Sequence, residues 1–199
     1  MPNNYPLSFT VANLLPRQTA ALAALYATLN DWEAVAERAR EDETILGHGK
    51  ASTRRSLTRE LHLRLLTLGE DELQLLAEGG AKTRRLLAWQ AVCRCYPFIG
   101  NFTREVLLPK LQRFDPLILN SDYRSYYRDQ ALLHPKLDRI ADSTRVKLES
   151  NTFKMLAEAK LIKSPTERVL QSVAPSSELC TRGLANNPHS LNFWLLSSL

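Results

Sequence analysis

Lys147, Ser150, Asn151 and Lys154 recur at i, i+3, i+4 and i+7, the spacing that places side chains on one face of a helix. That face would carry two ammonium groups, a hydroxyl and a carboxamide. Lysine neutralises phosphate, and asparagine can pair with an adenine edge in the major groove. Arg145 adds a cation just before them. Arg55, Arg59 and His62 form a second face at i, i+4 and i+7, with Arg54 and Arg64 nearby. Lys50, Thr53 and Arg54 fall at the loop and first turn that lead into it, where phosphate contacts commonly arise. Lys82, Arg84 and Arg85 form a third group at the start of a helix. Cations there oppose the helix dipole, and a counter-anion would relieve that cost. The chemistry shared by the three groups is binding to duplex DNA. The same patterns also describe amphipathic helices with solvated polar faces, with Glu60 pairing an arginine in the second.

Other residues offer less. Tyr123, Tyr126 and Tyr127 alternate with Arg124 and Arg128, a mixture that can stack bases or pack helices. There is no phosphate-cradling glycine loop, no HExxH, no Gly-x-Ser-x-Gly and no CxxC pair. His48, His62, His134 and His189 lie far apart without acidic partners at motif spacing. Cys93 and Cys95, two apart on a helix, point roughly 200° from one another and cannot share a metal. With Cys180 they make an odd number, which suits small core residues in a reducing compartment. These features predict no catalytic residue, no metal and no cofactor.

The bulk properties agree with a soluble binding protein. The chain has 199 residues, 44% hydrophobic and 24% charged, enough to bury a core. Its net charge is +5 and its isoelectric point about 9.2, a balance that favours an anionic partner. Arginine supplies most of the positive charge and suits phosphate better than lysine. The first fifteen residues lack the pattern of a secretory signal, and no apolar run approaches the ~20 residues needed to span a bilayer. The expected location is the cytoplasm, away from membranes.

The elements that must hold these faces read as helices. Glycine is scarce at seven residues, and Ala, Leu, Arg and Glu dominate. The spacing predicts a helix from about Ala12 to Leu29, then a helix capped by Asp31 with Trp32, Val35, Ala36 and Ala39 inward. A loop over 47–50 follows, and Ser52 or Thr53 is predicted to cap the first basic helix, whose stripe is Leu57, Leu61, Leu65 and Leu68. After Gly79 and Gly80 comes a helix apolar on nearly every side from Leu86 to Val92, the predicted centre of the core. The next helix starts at Pro97, and Pro109 should bend or end it. Ser121 is predicted to cap the tyrosine-bearing helix, and His134–Pro135 to end it.

The last basic helix should start near Asp142–Ser143 as its caps and end near Lys160. Its buried stripe is Leu148, Thr152, Met155, Leu156 and Ala159, widened by Val146, Phe153 and Ala157. A β-leaning run over Arg168–Val173 and a turn complete the order of a winged helix. The predicted fold is mainly α, a multi-helix bundle whose N-terminal part is helix-turn-helix-like. Its C-terminal region is winged-helix-like, with a small β element. The predicted regions are 1–68, N-terminal and helical; 69–135, a central helical core; and 136–199, the winged-helix-like region and tail. Phe193, Trp194, Leu195 and Leu196 make the tail either a docking element for a protein partner or a final helix.

Three segments taken together carry a family resemblance: LSFTVANLLPRQTAALAALYATLNDWEAV, LLAWQAVCRCYPFIGNFTREVL and LDRIADSTRVKLESNTFKMLAEAKLI. The chain resembles the BrxA family of BREX phage-defence systems over nearly its whole length. The resemblance implies a helical, cytoplasmic, non-catalytic protein that binds duplex DNA. It would work beside other BREX proteins, among them a methyltransferase, ATPases and a phosphatase-like protein. It also implies a core similar to that of NusB-type RNA-binding proteins, which leaves RNA binding as an alternative and docking of BREX partners as another. Neither the oligomeric state nor a DNA sequence preference follows from it. Lys160 stands before Leu161–Ile162 where winged helices often carry glycine.

Overall fold

A computed structural model describes residues 5–47, 49–184 and 188–196. His48, in the predicted 47–50 loop, and the ends of the tail at 185–187 and 197–199 lie outside the described residues.

A 3-10 turn at Ser8–Thr10 precedes α1 (Pro16–Leu29), α2 (Trp32–Glu41), α3 (Glu43–Leu46), α4 (Ala51–Leu65), α5 (Glu70–Glu78) and α6 (Ala81–Cys95). Then come α7 (Pro97–Phe102), a π-helical turn (Thr103–Leu107), α8 (Leu108–Gln112), α9 (Asn120–Leu133), α10 (Pro135–Asp138), α11 (Asp142–Glu158), α12 (Ser177–Leu184) and a 3-10 segment (Pro188–Trp194). The fold is mainly helical, as the composition predicts.

The helix boundaries follow backbone chemistry. α1 starts at Pro16 and not at Ala12, because Leu15 sits in the left-handed region at φ 51°. A residue before proline is disfavoured in the helical region, and proline itself suits the first helical position. Asn30, left-handed at φ 48°, ends α1, and the Asp31 carboxylate caps α2 by accepting the Glu33 N–H at 2.8 Å. Pro109 has no N–H to return to the preceding turn. The chain answers by widening into the π-helical turn just before it, so the helix continues as α8.

Three predicted caps are corrected. Lys50, Leu119 and Ala141 hold the N-cap positions of α4, α9 and α11, so Ser52, Thr53, Ser121, Asp142 and Ser143 lie inside the first turns. At α9 the Asp122 carboxylate reaches back to the Leu119 N–H at 2.8 Å.

α6 is the centre, buried from Leu86 to Cys93 and packed by α1, α4, α5, α7, α11 and the C-terminal 3-10 segment. At Gly100 a Cβ would collide with the Cys93 carbonyl, so glycine lets α7 fold back closely on the end of α6. Tyr123 and Tyr126 are buried in an edge-to-face cluster with Phe98, Phe102 and Phe153. The Tyr126 hydroxyl donates to the Phe98 carbonyl at 2.6 Å. The tyrosines therefore pack helices.

Beside α11, three extended segments meet. Ile118 N–H donates to Arg168 O, Leu170 N–H to Pro116 O, and Gln171 N–H to Leu161 O, at 2.8–2.9 Å. They form two isolated antiparallel bridges, Leu117 with Val169 and Ile162 with Leu170, and not the predicted strand.

The tail is buried. Trp194 is fully enclosed; its indole N–H donates to Leu86 O, while the Trp89 indole donates to Phe193 O at 2.9 Å. The apolar cluster of the tail is thus part of the core, with Leu196 partly buried against it. No helix among the described residues is long and apolar enough to cross a membrane.

Candidate nucleic-acid interface

α11 buries its predicted stripe: Leu148, Thr152, Met155 and Leu156 are inaccessible, with Phe153 and Ala159 almost so. Val146 departs from it and is 66% exposed. The helix is fixed from both sides. Arg168 pairs with Glu149 at 3.1 Å and lies 3.6 Å over the Phe153 ring, tying α11 to the bridged segments. At its C-terminus, Glu158 accepts the Leu14 and Leu15 N–H groups at 2.8 and 3.3 Å. A rigid helix thus presents Lys147 and Lys154 to solvent, neither with a partner among the described residues.

The other members of this group differ. Ser150 is half-buried. The Asn151 amide donates to Phe9 O at 3.3 Å, which commits it to the N-terminal 3-10 turn. Arg145 donates to Asp138 O at 2.8 Å, pairs with Asp142 at 3.6 Å and lies over the Tyr127 ring, so it joins α10 to α11.

On α4, Arg55 and Arg59 are exposed and their side chains have no partner among the described residues; the same holds for the side chains of Lys50 and Thr53 at its start. Arg54, next to Arg55, turns inward. It donates to Arg40 O, Gly49 O and Glu43 Oε1, the last at 2.7 Å, and so staples the loop before α4. Arg64 is not part of a surface patch. It is 1% exposed, pairs with Glu60 at 3.2 Å and donates to Ala12 O and Asn13 O. Glu60 also receives the Tyr96 hydroxyl, and burial pushes that phenol's pKa well above its ordinary value. His62 stacks on Trp32 with ring centroids 4.6 Å apart, and burial lowers its pKa.

The third group meets Lys160 and residues that no motif pointed to, Arg17, Gln18 and Glu158. Arg84 and Arg85 line a cleft of about 390 Å³ together with Arg17, Gln18, Glu158 and Lys160. Arg84 donates to Ala77 O at 2.8 Å, while its Nε is buried without a partner. Lys82 lies outside the cleft lining and is exposed. Lys160 stands in the left-handed region at φ 62°, the conformation glycine would take there. The sequence signal for Arg17 was its place directly after Pro16, in the first turn of α1.

Comparison with known proteins places this geometry in a family. The family model for BrxA matches residues 3–183. The chain belongs to the BrxA family. It is similar to the BREX protein BrxA of Escherichia coli O9:H4 (strain HS), with 29% identity over 168 residues, 80% of this chain and 75% of that protein. Among solved structures, an uncharacterized protein from Magnetospirillum magneticum superposes with a TM-score of 0.81 over 98% of this chain and 100% of that one. Sequence identity there is 22%, so the likeness concerns the fold. The BrxA family thus takes an α6-centred helical fold in this chain, with basic side chains left open on α4 and α11.

Proposed function

We propose that this BrxA-family chain is a non-catalytic, duplex-DNA-binding component of a BREX phage-defence system. The observation that carries the reading is the set of partner-free cations on two anchored helices: Arg55 and Arg59 on α4, Lys147 and Lys154 on α11. A cation paired within the fold gains little from phosphate, whereas an unpaired one releases a counterion from DNA. Lys50 and Thr53 at the start of α4, Ser150 on α11 and the exposed Lys82 would add backbone contacts. The order of bridged segment, α9, the short α10, α11 and two further bridged segments supports reading α11 as the helix a winged helix would offer to a groove.

The test is a fluorescence-anisotropy titration against duplex DNA, single strands and duplex RNA at several salt concentrations. Duplex DNA should bind most tightly, with a steep salt slope. A preference for RNA would favour the alternative of RNA binding, and no binding at low salt would reject the reading.

A second reading, docking of other BREX proteins, finds its support away from the tail. Leu132 and Leu133 at the end of α9 are 81% and 68% exposed, and Phe114 is 94% exposed. Pull-down with Leu132→Ser/Leu133→Ser protein tests it, with loss of a BREX partner expected.

A further inference from the structure

The cleft at the start of α1 and α6 gathers charge of one sign. Four cations line it, Arg17, Arg84, Arg85 and Lys160, against one carboxylate, Glu158. One oxygen of that carboxylate, Oε2, already accepts the Leu14 and Leu15 N–H groups. The side chains of Arg17, Arg85 and Lys160 have no hydrogen-bond or ion-pair partner among the described residues, and the Arg84 Nε is buried without one. Gathering like charges in one cleft is unfavourable unless an anion joins them. Neither helix has a side-chain cap, so its first N–H groups add to the same positive field.

We propose that this cleft is a binding site for a multiply charged phosphate group. A backbone phosphodiester carries one negative charge and would leave most of the cluster unmatched. A diphosphate, triphosphate or terminal phosphate monoester matches it better. Guanidinium forks suit phosphate oxygens, and about 390 Å³ lies within the roughly 300–1,000 Å³ of small-ligand sites. Two sources share this chemistry: a free nucleotide and the 5′-phosphorylated end of a DNA strand. None of Arg55, Arg59, Lys147 and Lys154 lines this cleft.

The test uses the whole chain and isothermal titration with inorganic pyrophosphate and with ADP at low salt. An oligonucleotide with and without a 5′-phosphate serves as competitor. Pyrophosphate should bind, and Arg85→Gln and Lys160→Gly should each weaken it by roughly tenfold. Lys160→Gly should keep or raise the melting temperature, because glycine accepts the left-handed backbone, so lost binding there is not lost folding. Arg55→Ala/Arg59→Ala protein should bind pyrophosphate normally, which separates this site from the DNA surface. ADP binding assigns the site to a free nucleotide; competition by the 5′-phosphorylated oligonucleotide alone assigns it to a strand end. No heat with either small phosphate and no 5′-phosphate effect would overturn the proposal. So would binding that survives both cleft substitutions or falls equally with Arg55→Ala/Arg59→Ala.

Discussion

Trp194→Ala is the sharpest probe of how the C-terminal segment belongs to this fold. Trp194 is inaccessible to solvent, and its indole N–H donates to Leu86 O at 3.2 Å on the central helix. Beside it, Phe193 O receives the Trp89 indole at 2.9 Å, and Ser190 receives Arg94 at 2.8 Å. Removing a buried tryptophan costs about 3–5 kcal/mol through lost burial and the cavity left behind. For a chain of this size 1 kcal/mol shifts the melting temperature by about 2–4 °C. The expected fall is therefore roughly 6–20 °C. Trp194→Phe keeps most of the volume and loses the hydrogen bond, so its fall should be about 2–8 °C. Differential scanning calorimetry measures both. A shift below about 2 °C for Trp194→Ala would show that the segment is not part of the cooperative core, and docking to a partner through the tail would return as its role.

Other outcomes follow from the same contacts. Arg55→Ala/Arg59→Ala should lower the slope of log affinity against log salt by about 2 in anisotropy titrations, with the melting temperature nearly unchanged; an unchanged slope rejects these contacts. Glu158→Gln should lower the melting temperature, since it weakens the acceptor for Leu14 and Leu15 N–H, yet strengthen pyrophosphate binding by removing the cleft's carboxylate. His62 is held neutral by burial, with its pKa below the ordinary 6.5. Its unfolded form takes a proton more readily, so the stability it contributes is present above pH 6.5 and declines as pH falls through its lowered pKa. Melting curves between pH 7.5 and 5.5 should show that decline, reduced in His62→Phe. Burial also pushes the Cys93 thiol well up, so a thiol reagent should leave it unmodified in the native protein while reacting in denaturant.

Periodicity and composition determined much of this protein by themselves. The buried stripe of α11, the all-round burial of α6 and the break at Asn30–Asp31 follow from local apolar spacing and backbone preference, which are properties of the chain alone. The family was legible too, because its pattern is spread along the sequence. What periodicity could not assign was the state of each cation. Arg54 and Arg55 are neighbours of one type, yet one staples a loop and the other faces solvent. Arg64 reads as surface charge but is buried, because backbone carbonyls fifty residues away and Glu60 satisfy it. Whether the tail docks a partner or packs as a final helix stayed open in the sequence because its cover, Trp89 and Leu86, lies about a hundred residues earlier. The cleft joins Arg17, Arg84, Arg85 and Lys160 from three distant segments. Such groupings depend on long-range packing, which places side chains by contacts that no local spacing encodes.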